Sequence, residues 1–262
     1  MQLWEALQVT PGSVVAFTGA GGKTTAMFRL ARELVAMGQR VVVTTTTKIW
    51  SPTPEQVPHV MLTLRQDRWL TALAEELEIS PLVVAASHWG PDGKLWGLND
   101  EAIRAICASQ VTHVVLVEAD GAGGRSLKAP LGHEPVIPSC TTVVVPMAGL
   151  DVVGQPLSAE WVHRPAQVAA LSQAVVGEPV TPDVVATVLV HPQGNVKGAP
   201  VDARLLPLLN KVDDPLRLCT GREIAKILLS KGLSRVVLAQ AVKEPPVIEI
   251  IEASVLEPMA PL

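Results

Sequence analysis

A lysine and two threonines close a glycine-rich turn in Ser13-Val-Val-Ala-Phe-Thr-Gly-Ala-Gly-Gly-Lys-Thr-Thr25. Residues of these types at this spacing hold nucleotide phosphates. Gly19, Gly21 and Gly22 let the backbone reach positive φ, so the N–H groups from Gly19 through Ala20 to Gly22 can turn inward as an anion nest. Lys23 supplies a cation for β- and γ-phosphate oxygens, Thr24 a hydroxyl for Mg²⁺, and the helix beginning near Thr24 and Thr25 its positive end. The strict phosphate-loop pattern has glycine where this chain has Phe17, so the match fails at that position.

Two carboxylates extend the constellation. Asp120 ends the apolar run from His113 and opens Asp120-Gly-Ala-Gly123. In that arrangement a carboxylate can hold Mg²⁺ through water while the Gly123 N–H meets the γ-phosphate. Glu118 lies two residues earlier, which on a strand places it on the same face. Buried there, both acids need a cation or donors, which Lys23 and a phosphate-bound Mg²⁺ would supply. Lys23, Asp120 and Glu118 are therefore the candidate catalytic residues, with Thr24 and Asp120 on the metal and Glu118 orienting water. The plainer alternative is that one acid caps a loop while the other is solvated.

Three further stretches join them. Asn210-Lys211-Val212-Asp213 follows an apolar strand and could select guanine, since Asp213 can accept both N1–H and N2–H while the Lys211 stem lies along the base. Asp214-Pro215 is also a good helix start, so the acidic run has a local explanation. Thr44 to Thr47 end the strand after the first helix; their hydroxyls suit a metal shell or a γ-phosphate switch, or are simply a β-branched strand end. Arg125, Lys128 and His133 lie in the proline-bearing loop after Asp120 and could hold an anionic second substrate.

The elements that must position these groups alternate. Apolar periodicity predicts a helix over 24–37 ended by Gly38, with strands at 40–46, 82–86, 113–118, 141–146, 205–209 and 234–239. Helices are expected over 66–78 and 99–109, and Thr220-Gly-Arg-Glu223 reads as the capping box of another that Gly232 ends. Residues 247–251 suit an edge strand, and Trp89 and Trp96 bracket either a mobile flap or a packed hairpin. This pattern predicts an α/β fold, a mainly parallel wound sheet of the phosphate-loop type with ligands at the carboxyl ends of its strands. The whole of 1–262 reads as one such domain, with 147–200 a candidate inserted or appended subdomain.

Bulk composition narrows the partners. The chain has 262 residues, a net charge of −4 and 48% hydrophobic residues, with no Lys/Arg cluster. No nucleic-acid partner is expected, and no apolar run spans a bilayer, so the protein is expected to be cytoplasmic and off the membrane. Cys107, Cys140 and Cys219 lack paired spacing and read as structural thiols.

Gly19–Thr25, Thr44–Ile49, Glu118–Ala122 with Leu127–Pro130 and His133–Pro138, and Asn210–Asp213 occur in one order. That series resembles the selenium-dependent molybdenum hydroxylase accessory proteins, a bacterial family of phosphate-loop proteins, over about residues 10–240. The resemblance implies a cytoplasmic nucleotide-binding factor for maturing molybdenum hydroxylases, in selenium or molybdopterin-cofactor handling, with a hydroxylase or a maturation protein as partner. The phosphate loop is also similar to that of metal-insertion and dethiobiotin-synthetase nucleotide hydrolases. Thr18 replaces the extra lysine of many of those, so a lysine reaching across a dimer has no basis here, and a homo-oligomer stays open. The expectation is an Mg²⁺-dependent hydrolase of GTP or ATP. Alternatives are an ATP-dependent kinase or nucleotidyltransferase acting on a small anion, and a non-catalytic module ordered by nucleotide.

Overall fold

The computed structural model describes residues 1–50, 59–63, 68–91 and 93–253. A short helix α1 (Leu3–Ala6) precedes β1 (Val14–Gly19), α2 (Lys23–Ala36), β2 (Val41–Thr45), β3 (Lys48–Trp50) and β4 (His59–Leu62). Next come α3 (Trp69–Ile79), β5 (Leu82–Ala86), β6 (His88–Trp89), β7 (Lys94–Trp96), α4 (Asp100–Ser109), β8 (Val114–Glu118), β9 (Leu127–Lys128) and β10 (Val143–Gly149). The chain continues through β11 (Val162–His163), α5 (Pro165–Ser172), α6 (Pro182–Val190), β12 (Arg204–Leu205), β13 (Leu208–Asn210), α7 (Pro215–Ser230), β14 (Arg235–Ala239) and β15 (Val247–Glu252).

The main sheet runs β15-β14-β13-β10-β1-β8-β2-β5-β4, with β12 also on β10. Its pairings are parallel except β14 with β15, the expected edge strand. Side chains alternate across it as a period of two requires. Val15, Phe17, Val41, Val43 and Leu116 pack with α1 and α2 on one face. Val14, Val42, Val115 and Val117 pack with α3 and α4 on the other, where α5, α6 and α7 cover Ala148, Leu209 and Leu238. This is the wound α/β sheet that the alternation of elements predicts.

One feature of the order bears directly on the candidate site. The strand–helix–strand unit β1-α2-β2 is parallel, but its strands are not neighbours, because β8 lies between them. Glu118 thereby sits opposite Phe17 on one side and Thr45 on the other. Phe17 belongs to the strand and is wholly buried in the core, two residues before the turn begins.

Prolines and caps account for the departures. The strand expected at 205–209 is broken into β12 and β13 around Leu206-Pro207. The break falls opposite Val145-Pro146 of β10, where a missing proline N–H weakens a continuous ladder. The helix assigned a start at Thr220 in fact starts at Pro215: the Asp214 carboxylate accepts from the Arg217 N–H at 2.8 Å as N-cap, and Thr220 is interior, its hydroxyl donating to the Leu216 carbonyl. Pro at the first helical position and an Asp cap outweigh the downstream capping-box pattern. The helix expected over 66–78 is observed from Trp69; residues 66 and 67 lie outside the described residues. Trp89 and Trp96 belong to a small antiparallel sheet, β3-β7-β6, in which Lys48 stands 3.9 Å over the Trp96 ring and His88 stacks on it.

The position of the α7 cap gives a stability test. Asp214→Ala should lower unfolding free energy by about 1 kcal/mol, whereas Thr220→Ala should change it by less than about 0.5 kcal/mol. Urea denaturation checks this, and the reverse ranking would restore the Thr220 start.

Candidate phosphate-binding site

The turn after β1 is held by its surroundings. Gly19, Gly21 and Gly22 have φ of +82°, +83° and +104°. A Cβ on Gly21 would lie 2.1 Å from the Gly149 nitrogen, so the turn packs directly on the end of β10. Three of its amides already have protein acceptors: Gly19 N–H donates to Asp120 Oδ2, Ala20 N–H to the Met147 carbonyl and Gly21 N–H to the Arg125 carbonyl. The continuous nest expected from Gly19 onward is therefore not formed in this conformation. The amides that remain are those of Gly22, Lys23, Thr24 and Thr25 at the start of α2, for which no described residue accepts. Such first-turn donors, with the helix dipole behind them, suit an anion.

Lys23 and Asp120 meet at this point. The Lys23 ammonium is 3.2 Å from Asp120 Oδ1 and 4.0 Å from Glu118 Oε1, and it donates to the Gly19 carbonyl at 2.6 Å. Thr24 Oγ1 donates to Glu118 Oε2 at 2.6 Å. Lys23 is 4% exposed and Asp120 wholly buried. Burial pushes the Glu118 carboxyl above the usual carboxylate range, and the Lys23 cation and Thr24 hydroxyl only partly oppose it.

A second cation flanks Asp120. Lys128, expected to hold a second substrate, has its ammonium buried between Asp120 Oδ2 at 3.1 Å, Glu134 Oε2 at 2.8 Å and the Gly121 carbonyl. Two carboxylates and a carbonyl thus surround an ammonium that has three donors to offer. Arg164, absent from the sequence-derived site, joins through Glu134. The cluster so assembled balances three cations, Lys23, Lys128 and Arg164, against three carboxylates, Glu118, Asp120 and Glu134.

The remaining candidates divide. Asn210 is buried and staples the turn, its Nδ2 donating to the Gly21 carbonyl and its Oδ1 accepting from Ala241 N–H. Lys211 adopts φ +63° and binds Ser126 Oγ and Asp151 at 2.8 Å each. The Asp213 carboxylate is occupied by Arg217 at 2.7 Å and by the Gln240 amide. Guanine would have to displace both. Arg125 donates its Nε to the Ala159 carbonyl, and Gly123 is exposed at φ +56°. His133 lines a cavity of about 370 Å³ with Thr46, Thr47, Lys48, Trp96 and Gly121. Thr45 and Thr46 hydroxyls donate to the Glu118 and Val136 carbonyls, tying the end of β2 to the acidic strand end and the following loop.

Asn195 was missed. It is fully buried, neither side-chain polar atom has a hydrogen-bond partner, and its Nδ2 lies 2.6 Å from where a Gly19 Cβ would stand. A polar residue in a loop of glycines carries no periodic signal; only its burial against the turn reveals it.

The sequence pattern of the YqeC protein family matches residues 15–166, the span from β1 through Asp120 and Glu134 to Arg164. A protein of Escherichia coli (strain K12), named "Uncharacterized protein YqeC", is 33% identical, with 76% of each chain covered. The chain belongs to the YqeC family. In this YqeC chain, no helix among the described residues is long and apolar enough to cross a membrane. The residues present fit a phosphate with a divalent cation, since free first-turn amides, a lysine, a threonine hydroxyl and a buried carboxylate without a hydrogen bond to Oδ1 converge on the start of α2.

Glu134 makes the cluster pH-sensitive. Burial raises its pKa, but hydrogen bonds from Arg164 and Lys128 outweigh this and bring it down to about 2 from the usual 4.5. Its stabilisation is complete above the unfolded-state value and is lost as pH falls toward about 2. The urea midpoint should therefore drop more steeply between about pH 4.5 and about pH 2 in the wild type than in Glu134→Gln. Parallel slopes would show that Glu134 gains nothing from its two cations.

Proposed function

We propose that this YqeC protein is a phosphate-loop nucleotide hydrolase, binding a nucleoside triphosphate with Mg²⁺ at the start of α2. The observation that carries the reading is the buried Lys23–Asp120 pair at the start of α2, beside the hydrogen-bonded Thr24 hydroxyl and Glu118. With nucleotide bound, the amides from Gly22 to Thr25 and the Lys23 ammonium would hold phosphate oxygens, and Thr24 and Asp120 would hold the metal. Mg²⁺ supplies charge neutralisation of the phosphates. Asp120 can release Lys23 to the nucleotide because Lys128 and the Gly19 N–H stay on Oδ2, so the carboxylate keeps a buried counter-charge. Glu118, whose proton affinity burial raises, would orient the attacking water and accept its proton from the ionised form.

The motif series shared with the selenium-dependent molybdenum hydroxylase accessory proteins supports a cytoplasmic role in maturing such enzymes, with a hydroxylase or cofactor-handling protein as client. A second reading, transfer of phosphate to a small anion, is favoured by the cavity beside Gly121. Lys48 and the His133 ring line it together with Glu134, whereas Arg125 and Lys128 do not.

Isothermal titration with Mg²⁺–GTP and Mg²⁺–ATP, joined to phosphate-release assays, tests the proposal. Lys23→Ala should lower turnover by at least about 100-fold, the loss seen when a preorganised charge is removed from a transition state. Unchanged hydrolysis in that variant would eliminate the assignment. Asp213→Ala should weaken GTP but not ATP if guanine is selected; equal affinities that ignore the substitution would remove guanine selection.

A further inference from the structure

Cys107 and Cys140 stand 33 positions apart in the chain, yet their Sγ atoms are 3.5 Å apart. Both are free and half-buried, Cys107 in the last turn of α4 and Cys140 in the turn leading to β10. The juxtaposition is fixed rather than incidental, because Ser139 binds the Asp100 carboxylate through both N–H and Oγ, at 2.6 and 2.8 Å, clamping this turn to the start of α4. A disulfide bond is about 2.05 Å long, so closure needs an approach of only about 1.5 Å. Both sulfurs border a surface cavity of about 660 Å³ that Glu101, Arg104, Ala105 and Ala108 complete.

We propose that Cys107 and Cys140 form a thiol–disulfide exchange site that reacts with small anionic disulfides entering this cavity. The pair is chemically asymmetric. The Cys107 hydrogen bond, with help from Arg104, lowers the Cys140 thiol to about 7 against its burial and Asp100. The same hydrogen bond, and then burial, pushes Cys107 far up. Cys140 is the attacking thiolate and Cys107 the resolving thiol. In the first step the Cys140 thiolate attacks one sulfur of the reagent; the reagent S–S bond breaks, a mixed disulfide forms and one thiolate leaves, taking a proton from water. In the second, Cys107 gives its proton to solvent and attacks the Cys140 sulfur. The mixed disulfide breaks, the Cys107–Cys140 bond forms, and the second thiolate leaves and is protonated. Two protein thiols are oxidised and one small disulfide is reduced to two thiols. Arg104 at the rim suits a carboxylate-bearing disulfide, for which oxidised glutathione is the probe.

The exposed Cys219 on α7 serves as an internal comparison. The lowered Cys140 thiol beside its resolving partner should take up the reagent before Cys219 does. The full chain would be incubated with oxidised glutathione, alkylated, digested with trypsin without reduction and mapped by mass spectrometry. The expected product links peptide 105–125 to peptide 129–197 while Cys219 is modified more slowly, and Cys107→Ser should accumulate the mixed disulfide on Cys140. Modification of Cys219 first, a mixed disulfide on wild-type Cys140 that never resolves, or three thiols that all remain alkylatable would overturn the proposal.

Discussion

A carboxylate with no contact with water holds this structure's functional end together. Asp120 lies between the Lys23 and Lys128 ammoniums and accepts from the Gly19 amide. An ionised group that dry would be strongly disfavoured without partners, so the two segments carrying those partners must converge on it where it stands at the end of β8. They are the turn after β1, running into α2 with Gly19 and Lys23, and the β9 strand with Lys128. The sheet order makes the convergence feasible, because β8 is inserted between β1 and β2 and delivers Glu118 and Asp120 beside the turn.

The same arrangement explains how a buried ion pair can serve a ligand rather than only a fold. Were Lys23 the sole partner of Asp120, moving it would strand a charge in the interior. Lys128 removes that obstacle, and Glu134, itself held by Arg164, keeps Lys128 paired. The turn itself does not need to move with the lysine. Asn210 holds the Gly21 carbonyl, Met147 and Arg125 hold two of the amides, and the end of β10 leaves no room for a side chain at Gly21. A rigid turn with a flexible lysine stem is thus compatible with both the closed ion pair and an anion at the helix start.

Much of the scaffold was legible because local and global preferences agree. The strand at Leu82–Ala86 and the helix at Asp100–Ser109 with its Asn99 cap follow directly from apolar periodicity and cap chemistry. Where two local signals competed, the pattern misled: Thr220 and Glu223 mimic a capping box inside a helix that the Asp214-Pro215 pair had already begun. The split at Pro207 and the proline within β10 were equally invisible, since which ladder a strand joins depends on neighbours remote in the chain. The cysteines illustrate the same limit, for spacing along the sequence says nothing about two thiols brought together by a helix end and a distant turn.

The residue types and their order determined the chemistry available: a glycine turn ending in Lys-Thr, two acids one strand period apart, and an α/β alternation to carry them. Tertiary structure alone decided the partnerships. It committed Lys128 to Asp120 rather than to solvent, brought Arg164 and Asn195 to the cluster, and turned Asn210 onto the glycine turn. The physical reason is that hydrogen bonds and ion pairs act over a few ångströms in space, and which side chains fall within that reach is set by strand order and register.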